Sequence, residues 1–282
     1  MSQIPEKLKV VLLLSQNIYA AVISDYLFKN QNSDFKIVGV VKQIFPKKEE
    51  GKIPQSLKEK FKEIFKNKKI FSAIFYLVFK RWFVSSNSVA HRFFKKILPK
   101  KYIKFSDIKE IAENFGSAFL LTDDINSDKT KEFLENLGSD LGVVCGTGII
   151  KDHIFTVPKF GCINYHAGIV PKYRGCEPIF WQLYYNDDVG YTLHKINSGV
   201  DTGDIILQKK INYRKRGDLY EIMFNIKNIM SLDCAVEIKK IILELKQTGS
   251  IKSYSQSSEG VRFFKHPKED EKRELEERLK NY

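Results

Sequence analysis

Cysteine is scarce in this chain: 282 residues contain four, Cys145, Cys162, Cys176 and Cys234, with no CxxC pair among them. That spacing excludes a disulfide framework and a cysteine zinc site and indicates a reducing compartment, so a cytoplasmic location is expected. Four of the five histidines, His91, His153, His194 and His266, have no metal-ligand spacing and read as structural, so no metal is expected. Long apolar runs are missing too. No stretch approaches the ~18 consecutive apolar residues that a conventional spanning helix needs. The opening MSQIPEKLKVVLLLS has an apolar run of only five residues and no small-residue cleavage site, which does not describe a signal peptide. No serine or cysteine stands in a nucleophile-elbow turn, which favours direct transfer between bound groups over a covalent intermediate.

Acidic residues are lacking in one segment. Between Pro46 and Ser106 there are 17 Lys and Arg against 4 Asp and Glu, which accounts for the whole net charge of +13. The rest of the chain is near neutral. A nucleic-acid partner is therefore not expected from the total charge, and the basicity needs a local explanation.

What is present is an alternation of strands and helices. KLKVVLLLS (7–15), YAAVISDYLFKNQ (19–31) and FKIVGVV (35–41) read as strand, helix, strand, the first apolar throughout as in a sheet covered on both faces. SAFLLT (117–122) is a third strand. SDKTKEFLENLG (127–138) is a helix with Ser127 as N-cap and Gly138 as C-cap, and LGVVCG (141–146) is a fourth strand. YTLHKI (191–196) and DIILQKKI (204–211) read as strands around the turn NSGVDTG. A helix is expected over SLDCAVEIKKIILELKQTG (231–249), and the tail from Lys268 reads as a solvated charged helix. The pattern predicts a Rossmann-like α/β fold, doubly wound with a mostly parallel sheet, and a basic helical insertion at about 46–106 between the second and third strands. A catalytic domain over 1–212 is expected, followed by a C-terminal helical extension over 213–282. Ligands in such sheets lie off the carboxyl ends of the strands.

Polar residues gather there. Asn164 and His166, two apart on the strand GCINYH, point the same way, and Asp201 occupies the turn before GDIILQ. A carboxylate can orient an imidazole and stabilise its charged form, and an amide NH2 can donate to a developing oxyanion. Singly, each has an ordinary alternative as a loop histidine or a turn former.

Together the residues resemble the folate-dependent formyltransferases, a family that includes enzymes acting on methionyl-tRNA, on glycinamide ribonucleotide and on amino sugars. The matching text is DLGVVCGTGII, VPKFGCINYHAGIVPKYRG and VGYTLHKINSGVDTGDIILQ, within about residues 116–212. It holds an Asn-x-His, a Pro-x-Tyr-Arg-Gly and an Asp-Thr-Gly at the family's spacing. The resemblance implies transfer of a formyl group from N10-formyltetrahydrofolate to a primary amine. Asn164 would stabilise the oxyanion, His166 would assist proton transfer, and Asp201 would orient the histidine. It also implies folate contacts at Thr147, Gly148, Ile149 and Ile150, at Ile169, Val170 and Pro171, and at Gly199 and Val200. Ile149 and Ile150 are expected to cover the pterin face. Asn17, Tyr173 and Arg174 are the residues expected to contact the acceptor, and Trp181 reads as core.

Two departures narrow the acceptor. Many relatives have serine where this chain has Gly168. The loop after the first strand, SQNIYA, has no glycine, which argues against a nest of backbone N–H groups for a phosphate and so against glycinamide ribonucleotide. With about 70 residues after the last strand, the additional domain of the tRNA enzymes is not expected. The expected acceptor is then a nucleotide-linked amino sugar, with glycinamide ribonucleotide formyltransferase as the alternative. A reading of another class is a membrane-associated binding protein on a formyltransferase scaffold. Residues 56–105 interleave lysines with Phe, Ile, Leu and Trp, a composition that suits an anionic membrane surface on the inner face, or a packed helical pair or homodimer contact.

Overall fold

In the computed structural model, residues 4–15, 17–45 and 108–280 are described. The expected first strand forms as β1, Leu8–Ser15, with every side chain except Lys9 buried, so it needs cover on both faces. Helix α1, Ile18–Asn30, supplies one cover; Asn17 caps it, its Oδ1 accepting the Ala20 N–H at 2.8 Å. Strand β2, Phe35–Gln43, runs past the expected end at Val41, and Lys42 and Gln43 are buried. Short helix α2, Ile108–Asn114, leads into β3, Ala118–Thr122. Helix α3, Asp128–Leu137, has the expected caps: the Ser127 hydroxyl accepts from the Thr130 N–H, and Gly138 takes the left-handed conformation that glycine adopts freely.

Strand β4, Leu141–Cys145, is followed by the single-turn α4, Asp152–Phe155, and by β5, Cys162–His166. Beyond these come β6, Arg174–Gly175, and α5, Pro178–Tyr184. A hairpin of β7, Gly190–Lys195, and β8, Ile205–Lys210, closes the sheet. The order is β3-β2-β1-β4-β5-β7-β8. Five strands are parallel, and β7 and β8 run antiparallel at one edge. This is the doubly wound, mostly parallel sheet that the alternation predicts. Strand order reverses between β1 and β4, so a crevice opens above their carboxyl ends.

Helix α6 spans Leu219–Thr248, starting twelve residues before the expected Ser231. The reason is a better cap: Asp218 Oδ1 accepts the Glu221 N–H at 2.8 Å, and Leu219, Ile222, Met223, Ile226 and Met230 extend the buried stripe. Those side chains belong to the main core, together with β1, α1 and β7. Residues after 212 are therefore packed into the same compact unit as β1–β8. After α6 the chain returns to the sheet: Tyr254 bridges to Ile205, and β9, Phe263–Phe264, pairs in parallel with β6. The final helix α7, Glu269–Lys280, is docked as well as charged, with Leu275 buried and Arg278 over the Tyr184 ring at 4.7 Å.

The expected basic helical insertion at 46–106, and with it the membrane or packing role of residues 56–105, lies outside the described residues. Among the described residues no helix is long and apolar enough to cross a membrane.

Candidate active site

Strand β5 carries Asn164 and His166 on one face at its carboxyl end, and the turn between β7 and β8 carries Asp201 across from them. Three contacts join them. His166 Nδ1 lies 3.4 Å from Asp201 Oδ2. The other carboxylate oxygen, Oδ1, lies 3.5 Å from His194 Nε2. Asn164 Nδ2 lies 3.1 Å from the same His194 nitrogen. His194 thus belongs to the cluster, a correction to its reading as a structural residue. The signal that could have found it is register: β7 is antiparallel to β5, and His194 stands directly opposite Asn164.

Hydrogen-bond partners fix the proton positions. His194 Nδ1 faces the Lys195 carbonyl at 2.8 Å, so it carries the hydrogen. Its Nε2 lone pair then accepts from the Asn164 amide. One Asn164 N–H is held in this way, which leaves the second for a ligand oxygen. His166 Nε2 faces the Tyr173 carbonyl at 2.6 Å and donates to it. The lone pair of the neutral His166 ring is therefore on Nδ1, aimed at Asp201. An imidazolium here would find an acceptor at both nitrogens.

Burial and charge oppose one another in this cluster. Burial holds the His166 pKa below its ordinary value, and the neighbouring Asp201 carboxylate offsets part of the effect. Burial acts to raise the Asp201 pKa, but His166, His194 and the Gly175 N–H together bring it down to about 2. Asp201 is an anion beside two imidazoles. Cys145 and Cys162 are fully buried thiols with pKa values pushed upward by burial, so neither supplies a thiolate.

The Asp201 turn is held rigidly. Asp201 sits in the left-handed region with φ 52°, a conformation tolerated by aspartate at some cost. Asn197 Oδ1 accepts from the Gly199 N–H and the Thr202 hydroxyl, and Gly175 N–H donates to Asp201 Oδ2 at 2.9 Å.

Gly168 has a packing reason. A Cβ there would stand 2.6 Å from Pro178 Cβ, 2.9 Å from the Tyr173 carbonyl oxygen and 3.0 Å from His166 Nε2. The space that a larger residue would occupy is the space of the His166–Tyr173 hydrogen bond. Gly168→Ala is expected to cost about 1–3 kcal/mol of stability, as overpacking does, and to slow turnover by displacing His166. A thermal melt and steady-state rates check this; a variant with wild-type values for both would show that the Tyr173 carbonyl yields without consequence.

The remaining sequence-assigned residues divide. Thr147–Ile150 follow β4 at the switch point, braced by Gln43 Oε1, which accepts the Gly148 N–H, and by Asn126, whose Nδ2 donates to the Ile149 carbonyl. Ile149 is exposed and available to a ligand, whereas Ile150 is buried in the core cluster with Ile154; only one of the pair can cover a pterin face. Val170 is likewise buried, and Ile169 lies against the Gly190 backbone. Pro171 follows a cis peptide bond and, with Val200, is only partly covered, while Gly199 is exposed. Asn17 is a helix cap, with Oδ1 on the Ala20 N–H and Nδ2 on Ser15 Oγ at 2.8 Å, rather than a free acceptor contact. The Tyr173 ring is core: it stacks on Phe264, and its hydroxyl donates to Asp187, so only its carbonyl reaches the site. The Arg174 guanidinium is held by Gln256 Oε1, and Trp181 is core as expected, its Nε1 donating to the Lys265 carbonyl.

Comparison with known proteins matches the chain to a family model described as formyl transferase, over residues 9–229. The methionyl-tRNA formyltransferase of Thermodesulfovibrio yellowstonii is 32% identical over 158 residues, covering 54% of this chain and 51% of the relative. That of Caldanaerobacter subterraneus is 31% identical over 142 residues, covering 49% and 46%. The chain thus spans about half the length of the curated relatives it matches. Among solved structures, an N-formyltransferase from Helicobacter canadensis, in complex with folinic acid and dTDP-3-aminofucose, aligns with TM-score 0.54 at 15% identity, over 91% of this chain and 70% of that one. Glycinamide ribonucleotide transformylase 1 from Symbiobacterium toebii aligns with TM-score 0.52 at 16% identity, over 89% and 95%. At those identities the likeness is one of fold.

Proposed function

This chain belongs to the formyl transferase family, and from that premise we propose that it is a folate-dependent enzyme that formylates the primary amine of a nucleotide-linked amino sugar. The donor, N10-formyltetrahydrofolate, supplies an activated formyl group. The residues fit it: an exposed isoleucine, Ile149, on a braced loop at the switch point, and the turn that leads into Asp201, where Gly199 is exposed and Val200 partly covered.

In the proposed reaction the acceptor nitrogen bonds to the formyl carbon as the bond from that carbon to N10 breaks. One proton leaves the amine and one arrives at N10. The second N–H of Asn164 donates to the formyl oxygen as it gains negative charge. The amine proton passes to His166 at Nδ1, where the resulting imidazolium is neutralised by Asp201 and hydrogen-bonded at both nitrogens, and that proton is then returned to N10 as the leaving nitrogen. His194 holds Asn164 in place and shares the Asp201 charge.

The observation that carries the acceptor assignment is the side-chain cap on the N-terminus of α1, where no glycine-rich loop precedes the helix. A monoester phosphate would be expected where helix N–H groups are free, and here Asn17 caps that end with its own side chain. This disfavours glycinamide ribonucleotide. The methionyl-tRNA formyltransferases among the relatives favour a second reading, methionyl-tRNA as the acceptor. A panel of UDP- and dTDP-amino sugars, glycinamide ribonucleotide and methionyl-tRNA, followed by tetrahydrofolate release, separates the three. The expected result is a kcat/KM for one amino-sugar nucleotide at least about ten-fold above the other two classes, roughly 1.4 kcal/mol of transition-state discrimination. A higher value for methionyl-tRNA or glycinamide ribonucleotide would reassign the acceptor.

A further inference from the structure

The family match ends at residue 229, yet the site does not. Beyond α6 the chain runs back to β8, where Ile205 and Tyr254 exchange backbone hydrogen bonds of 2.8 and 2.9 Å. Two residues later, half-buried Gln256 reaches the Asp201 turn. Its Nε2 donates to the Asp201 and Gly203 carbonyls, each at 2.8 Å. Its Oε1 accepts from Arg174, at 3.2 Å from Nε and 2.6 Å from Nη2. Two donors and both lone pairs of one amide are thereby in use, the full capacity of the group. Further along, Arg262 N–H donates to the Pro171 carbonyl and Cys176 N–H to the Phe264 carbonyl, which seats β9 on β6. Gly175 of β6 in turn donates to the Asp201 carboxylate.

Asp201 is thus gripped at two points, its carbonyl by Gln256 and its carboxylate by Gly175, and both grips depend on residues 254–264. The need for a grip is visible in the backbone. A non-glycine residue at φ 52° is held there only when its surroundings over-determine it. We infer that Gln256 is a positioning residue of the transfer site: it ties the Asp201 turn to the PKYRG loop and so keeps the carboxylate against His166 and His194. This inference rests on the reading of Asn164, His166 and Asp201 as the reacting set.

The test compares Gln256→Met, Gln256→Glu and Asp201→Asn with the wild type. Methionine keeps the size and removes every hydrogen bond. Glutamate keeps the acceptor for Arg174 but loses both donations to the turn. The titratable groups against His166 are Asp201 and His194, so the His166 imidazole titration, followed by NMR on 15N-histidine-labelled protein below its melting temperature, reports where the carboxylate lies. Turnover is measured with the amino-sugar nucleotide that the panel prefers. Both Gln256 variants are expected to lose about 10- to 100-fold in kcat, the scale of an ångström-level misplacement, with little change in donor KM. In both, the His166 midpoint should fall toward that of Asp201→Asn. Wild-type kcat and a wild-type His166 midpoint in the two Gln256 variants, whatever their melting temperatures, would overturn the inference and leave the site reading intact. Wild-type kcat in Asp201→Asn would instead overturn the site reading and this inference with it.

Discussion

Asp201→Asn and His166→Ala should each reduce kcat by 10²-fold or more while the protein stays folded, as loss of a general base or its partner does. Asn164→Ala should cost about 10²–10³-fold, the range for removing one oxyanion donor. The ordering follows from the hydrogen-bond assignments. His166 can accept a proton only at Nδ1, and that nitrogen faces Asp201. Without the carboxylate, the imidazolium forms in a buried place with nothing to balance it. His194→Ala should fall between these variants and the wild type, because it frees the Asn164 amide without removing it. The pH profile carries a second signature. Burial lowers the His166 pKa, so the acid limb of kcat/KM should lie below the ~6.5 of an ordinary histidine, and in Asp201→Asn it should move lower still. The Asp201 carboxyl, at about 2 in the folded protein, adds stability that is present above the ~3.9 of an unfolded aspartate and lost as pH falls toward the folded value. Asparagine removes that dependence. Steady-state rates from pH 4 to 9 and acid unfolding curves read both effects, and near-normal turnover in the Asp201, His166 and Asn164 variants alike would sink the mechanism.

Gly203→Ala should be the most damaging single methyl group in the β7–β8 turn. A Cβ at this position would overlap the Lys195 carbonyl oxygen, a backbone atom that cannot swing aside. That carbonyl also receives the His194 Nδ1 hydrogen, and the Lys195 N–H donates to the Asp204 carbonyl. Relief therefore means parting the first rungs of the hairpin, displacing the Gly203 carbonyl from Gln256, and tilting His194 away from Asn164 and Asp201. A stability loss of about 3 kcal/mol, the upper range for overpacking, is expected with a kcat loss of 10²-fold or more. Denaturant unfolding and turnover per folded molecule check the two parts. A variant with wild-type turnover would mean that the turn reaches the same catalytic geometry by another path.

Much of this is written locally in the chain. β1 had to be a covered strand because its residues are apolar in succession, and Ser127, Gly138 and Gly249 mark helix ends by chemistry that involves only near neighbours. Asn164 and His166 share a face through strand alternation alone. The start of α6 was less legible, because polar residues such as Asn225 and Asn228 interrupt a stripe whose continuity appears only once α6 lies against α1.

What local pattern could not give was partnership across long sequence separations. His194 joins the site through antiparallel register with β5, and Gln256 through a return of the chain after a 30-residue helix. Asn17 and Tyr173 looked like ligand contacts by position, but capping and burial take up their polar groups. The sequence by itself determined the strand–helix alternation and picked out the Asn-x-His and Asp of the candidate site, because periodicity and residue chemistry are properties of neighbours. Only the tertiary structure decided which histidine nitrogen is free, which isoleucine is exposed, and what holds Asp201 in place, because those depend on which distant groups fill each hydrogen-bonding position.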